Sequence, residues 1–127
     1  MSRTARAQAI VEFALVVPLF FLLIVGIFDL SRAYVASTVV ASCAREAARS
    51  GAVSWPQSGW DTQATQTCLN LAVGVDRATL SSGVKLSATS PYVRADVAYP
   101  FHSLTPLVGT LLGDPIQLKA SAVVLAG

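Results

Sequence analysis

The alternation of polar and apolar positions divides this chain into a rod and a head. Residues 13–28, between Glu12 and Asp29, carry no charge, and only Pro18 and Gly26 interrupt their apolar character. Extended by Ala9 to Val11, the run predicts a helix about 28 Å long at about 1.5 Å per residue, close to the roughly 30 Å of bilayer hydrocarbon. The helical pattern then continues through LSRAYVASTVVASCAREAARS to Gly51, which is read as the C-terminal cap. Ala33, Ala36, Val40, Cys43 with Ala44, and Ala47 recur at three- and four-residue spacing, a narrow stripe of small residues suited to close packing. The whole is one rod of roughly 40 residues and about 60 Å, apolar all round at first and amphipathic afterwards.

Beyond Gly51 the pattern changes twice. The loop AVSWPQSGW holds Trp55 and Trp60, which the intervening helix carries far from any bilayer, so they are expected to pack locally. Asp61 is expected to cap a second helix over 62–73, with Ala64, Cys68, Leu71 and Ala72 on one face. After Asp76 the period becomes two: Val84, Leu86 and Ala88 alternate with polar residues, as do Val93, Ala95, Val97 and Tyr99 after the Ser90-Pro91 turn. Pro100 is expected to end that strand. Thr105-Pro106 reads as cap and first residue of a short helix closed by Gly113, and Ile116, Leu118, Ala120, Ala122 and Val124 make a third strand. The expected fold is α+β: a long N-terminal membrane-spanning helix packed on a small antiparallel sheet of about three strands, with a second short helix.

The two cysteines fit that arrangement. Cys43 lies seven residues before Ser50 and Cys68 seven after Asp61, so an antiparallel helical hairpin puts both at one level, about two turns from the connection. A Cys43–Cys68 disulfide is predicted, with a chain-entropy contribution of about 3–3.5 kcal/mol for a loop of about 26 residues. Two cysteines without a nearby ligand pair make a poor zinc site, and no metal or other cofactor is expected.

Composition sharpens the membrane reading. A chain that is 54% hydrophobic and 13% charged is unusual for a soluble protein, and the single apolar run supplies much of the excess. The residues after Gly51, rich in Ser, Thr, Ala and Gly, offer too little apolar surface to wrap the run as a buried core helix. A removed secretory signal is the other alternative, but no Ala-x-Ala site with polar residues follows the run. Net charge of +2 is too small and scattered for nucleic acid. Arg3 and Arg6 ahead of the run favour a cytoplasmic N-terminus, although Arg32, Arg45 and Arg49 follow it, partly offset by Asp29 and Glu46. The organisation is then a basic leader over 1–7, a long helix over 8–50 embedded in the membrane at 9–28, and an extracytoplasmic head over 51–127. Asp29 with Arg32, and Glu46 with Arg49, are spaced to pair on the outer half of the helix.

Glu12 is the outlier. A charged side chain in a membrane helix costs about 2.5–3.5 kcal/mol on insertion scales, so it has a partner or marks the interface. The stretches AQAIVEFALVVPLFFLLIVGIFDLSRAY and AREAARSGAV resemble the TadE-like family, pilin-like minor subunits of tight-adherence (type IVc) pili, and AYPFHSLTPLVGTLLGDPIQLKASAVV is similar to the family's C-terminal part. The resemblance implies a prepilin peptidase that cuts before the apolar run and a Glu at the fifth mature position that neutralises a neighbouring subunit's terminal amine. Counted back from Glu12, the cut falls between Ala7 and Gln8; the family's usual residue before it is Gly, and here it is Ala7, so an uncut signal anchor is the alternative. The resemblance also implies docking of other pilin-like subunits at Glu12 and Phe13 and an inner-membrane pilus assembly platform. In such proteins Pro18 can let the helix bend or stretch, and Gly26 permits close approach of another helix.

Little in the sequence suggests catalysis. His102, Ser103 and Asp96 could be drawn as a triad, but sequence neighbours seldom have that geometry. No phosphate loop, carboxylate pair or metal-ligand cluster occurs. Two functions are left: a structural pilin-like subunit that waits in the cytoplasmic membrane and enters a surface fibre, or a single-pass envelope module whose head binds a ligand or surface. The absence of a flexible linker between helix and head favours the first.

Overall fold

Small side chains at helical spacing let one helix serve as both rod and core. In the computed structural model, which describes residues 3–127, α1 (Arg3–Ser54) is unbroken for 52 residues, about 78 Å at 1.5 Å per residue. It takes in Arg3 to Ala7 of the expected leader; Met1 and Ser2 lie outside the described residues. Ala36, Val40, Cys43, Ala44, Ala47 and Ala48 are buried beneath the head, and Ala33 is half-buried. Their small volume allows α2 (Trp60–Leu69) and a three-stranded sheet to approach the helix from two sides.

The sheet is a simple antiparallel meander, β1 (Val84–Thr89), β2 (Tyr92–Phe101) and β3 (Ile116–Leu125), with β2 in the centre. Alternation sends Val93, Ala95 and Val97 of β2 and Leu118, Ala120, Ala122 and Val124 of β3 towards α1, while Lys85, Arg94 and Lys119 face outwards. Full burial of an aliphatic side chain such as Val40, Leu80, Val93 or Val97 contributes about 1.5–3 kcal/mol. β2 runs antiparallel to α1. Val93 lies beside Gly51, and Phe101 lies under the Arg32 guanidinium, 5.5 Å from its ring centre. Those nineteen residues of helix and eight of strand cover nearly the same length, about 28 and 26 Å. The turn after β2 therefore marks the end of the head nearest the apolar run.

Several expectations are corrected by packing. Gly51 does not cap α1: the helix runs on, with Trp55 donating its N–H to the Gly51 carbonyl at 2.8 Å. The glycine is needed for close approach, since a Cβ there would lie 3.0 Å from Val93 and 3.2 Å from the Trp60 ring. Asp61 is inside the first turn of α2, where its charge suits the positive helix end, and Gly59 is the N-cap. α2 ends at Leu69, where i→i−3 bonds from Leu71 and Ala72 tighten the chain, and Leu71 is left exposed. Pro100 does not end β2. It pairs with Gln117 of β3, and β1 stops opposite Val97, so Pro100 has no strand on its other side and its missing N–H breaks no ladder. Glu46 and Arg49 form no ion pair among the described residues.

A helix the periodicity did not announce, α3 (Arg77–Gly83), precedes β1. Asp76 caps it, its carboxylate accepting the Thr79 N–H at 2.9 Å and the Thr79 hydroxyl, while its own N–H donates to the Tyr99 hydroxyl at 3.1 Å. Leu80 is wholly buried in the core. Gly83 ends the helix where the Ala98 backbone passes, and a Cβ there would collide with the Ala98 carbonyl oxygen.

Cys43 and Cys68 are joined in a disulfide, Cα atoms 4.4 Å apart, tying α1 to α2 at the centre of the core. The double variant Cys43→Ser, Cys68→Ser should lose about 3 kcal/mol of head stability, measured by denaturant unfolding in detergent, with membrane insertion unchanged. Gly83→Ala should cost about 1–3 kcal/mol in the same measurement, because the backbone it strikes cannot swing aside.

Candidate subunit-docking surface

The apolar run of α1 stands clear of the head. Its most hydrophobic eighteen-residue window has a mean hydropathy of 2.8 and none of it is buried. By length and composition the helix can cross a membrane. Phe13, Leu15, Leu19, Phe21 and Leu23 are all more than half exposed, spread around the helix. Ala7 and Gln8 are exposed and helical, and the Gln8 side-chain amide donates to the Glu12 carboxylate at 3.2 Å across one turn. Among the described residues Glu12 thus has one weak hydrogen-bond partner and open acceptor sites, and the next residue, Phe13, is exposed. Pro18 lies within continuous helix; lacking an N–H, it leaves the Ala14 carbonyl without its helical donor. A Cβ at Gly26 would meet nothing within 4 Å, so this glycine serves no packing inside the chain.

The second polar feature is Asp29, the first residue beyond the uncharged run and only 2% exposed. Oδ1 accepts the Leu104 N–H at 3.1 Å, and Oδ2 accepts the Thr105 N–H at 2.7 Å and the Thr105 hydroxyl. Arg32 approaches Oδ1 at 3.5 Å, the i,i+3 pair expected from spacing, but the carboxylate's stronger contacts are with the loop 75 and 76 residues away. The Thr105 hydroxyl is the chief influence holding the Asp29 carboxyl below the ordinary carboxylate range; burial opposes it, and the two amides and Arg32 reinforce it. Thr105 is the N-cap of α4 (Pro106–Leu112) by position, yet its hydroxyl caps nothing in that helix because it is turned to Asp29. The sequence signal for this clasp was the carboxylate placed directly after the apolar run.

The residues that could be drawn as a triad pair elsewhere. His102 Nδ1 and Asp114 Oδ1 are 3.2 Å apart across the base of the β2–β3 loop, and Asp96 receives Arg94 at 2.9 Å, so His102, Ser103 and Asp96 do not assemble as a triad. Among the described residues no group of three or more His, Cys, Asp or Glu side chains could hold a metal.

The chain is thus a long apolar helix projecting from a small α+β head. Residues 7–49 match the family model for TadE-like protein, so the segment holding Gln8, Glu12, Pro18, Gly26, Asp29 and Cys43 is TadE-like. The match stops short of the sheet and does not extend to the C-terminal stretch over 98–124 for which the same resemblance was expected. No curated protein and no solved structure matches the chain.

The Asp29 and Asp76 carboxyls are both held below their unfolded value, near 3.9, Asp76 chiefly by the Thr79 hydroxyl. Their stabilisation is therefore present above about pH 4 and lost as pH falls through the lower folded values. Hydrogen exchange followed from pH 7 downwards should show the Leu104, Thr105 and Thr79 amides losing protection relative to the β2–β3 ladder only below about pH 4. Asp29→Asn should remove protection at Leu104 and Thr105 at every pH and leave Thr79 untouched.

Proposed function

We propose that this chain is a structural pilin-like subunit, a minor pilin or pseudopilin, of a tight-adherence type IV pilus assembly system. It is held in the cytoplasmic membrane by α1, N-terminus in the cytoplasm and head outside, and joins other pilin-like subunits through the same helix. The observation that carries this reading is the continuity of α1: the exposed apolar run and the core of the head are one rigid element, with no linker between them. Sliding the apolar half out of lipid and against other helices moves the head with it, as fibre growth requires. A tethered binding module gains nothing from such rigidity, which leaves the single-pass adhesion module as the second reading.

Glu12 and Phe13 then form the docking site. Glu12 accepts the terminal amine of a neighbouring subunit after a prepilin peptidase cuts between Ala7 and Gln8, and the Gln8 amide now bonded to it gives way. Pro18 lets the preceding turn stretch as helices pack, and Gly26 admits a neighbour's backbone.

Intact mass and N-terminal sequencing of the membrane-extracted protein from its native host should find a chain beginning at Gln8. A chain that keeps Ser2 or Met1 would favour the permanent anchor. Glu12→Ala should leave membrane insertion intact and reduce co-purification with partner pilins severalfold; unchanged co-purification and piliation would remove Glu12 from docking.

A further inference from the structure

The β2–β3 loop is built inside out. Residues 103–113 carry no charge, and the polar groups at the loop's first stem turn inwards: Thr105 and the Leu104 amide bind Asp29, and Thr105 is buried. Its apolar side chains turn outwards, with Leu104 73%, Leu107 49%, Leu111 79% and Leu112 65% exposed, and α4 buries no residue at all. A loop selected for water would reverse this arrangement.

Its position supplies the occupant. β2 descends along α1 from Gly51 to Arg32, and the loop that follows is fastened to Asp29, adjoining Phe28 and Leu30, both two-thirds exposed. The apolar surface of the loop is thus continuous with the apolar surface of the run, at the level where that run ends. Resting on the reading that residues 9–28 span the bilayer, we propose that residues 104–112 insert into the head-side leaflet of that bilayer as an apolar wedge, with lipid acyl chains as the occupant. The Asp29 clasp and the His102–Asp114 contact hold the wedge at its two stems, so the head stands on the membrane at a fixed height and tilt.

The test uses the full chain in phosphatidylcholine vesicles. The native cysteines are paired, so an added cysteine is the only thiol a nitroxide reagent can label. Labels are placed by Leu111→Cys and Leu107→Cys on the wedge, Leu22→Cys within the run, and Ser87→Cys at the far end of the head, where Ser87 pairs with Arg94. All four sites are exposed, so the core is undisturbed. Collision rates with oxygen and with a water-soluble nickel chelate are then compared. The proposal expects an oxygen-to-nickel ratio at 111 and 107 severalfold above that at 87 and approaching that at 22. A high ratio at 22 with 111 and 107 resembling 87 would overturn the wedge while leaving the span in place. Free access of nickel to 22 would overturn the spanning reading itself, and the wedge with it. Low access of both reagents at 111, with spin–spin broadening lost on dilution by unlabelled protein, would mean that a second copy covers the loop and would overturn the lipid assignment.

Discussion

A buried carboxylate at the end of an apolar run constrains everything around it. Asp29 leaves residues 13–28 bare and opens the half of α1 that the head covers, and its oxygens are occupied by donors from a loop more than seventy residues away. A charge so buried is tolerable only when its lone pairs are met. The two backbone amides and the Thr105 hydroxyl meet them, and that requirement fixes how far down the helix the sheet can lie. Once the loop is fastened at Asp29, the register of β2 along α1 follows, with Phe101 under Arg32 and Val93 beside Gly51.

The disulfide acts further along the same helix. Cys43 and Cys68 join α1 to α2 near the middle of the covered half, and Ser50 and Thr67 hydroxyls meet at 3.2 Å one or two turns further on. Clasp and disulfide hold different elements to one rod, the sheet by its lower turn and α2 by its centre. Small side chains between them make both approaches possible: a Leu at Ala44 or Ala47 would push sheet and helix apart whichever fastening was kept.

Periodicity was enough for features that depend on one element alone. The small-residue stripe, the alternation of β1, β2 and β3, and the run without charge each express burial of one face of one segment. Features decided by a second element were hidden. Gly51 reads as a helix stop because glycine ends helices, but here it is the space that Val93 and Trp60 fill. Pro100 reads as a strand end, yet it is harmless where β1 has already stopped. α3, rich in Ser, Thr and Gly, looks like loop until Leu80 enters the core, although Asp76 three residues before Thr79 was a usable capping signal. Among the candidate residues, Pro18 and Gly26 were legible as the interruptions of the apolar run and Glu12 as the charge at its edge, Phe13 came from the family resemblance alone, and the acceptor role of Asp29 needed the distant loop.

The two carboxylates that bracket the run are in opposite states. Glu12 is exposed and bound by one side-chain amide, whereas Asp29 is buried and accepts from three donors in addition to its contact with Arg32. A carboxylate already met by its own chain gains little from a new partner and would lose its existing bonds to make one. One with open acceptor sites at a non-aqueous surface gains a great deal, since a cationic partner there offsets desolvation as well as charge. The division of labour follows from this asymmetry: Asp29 determines how the head sits on its own helix, and Glu12 is left with the capacity to take a partner from outside the chain.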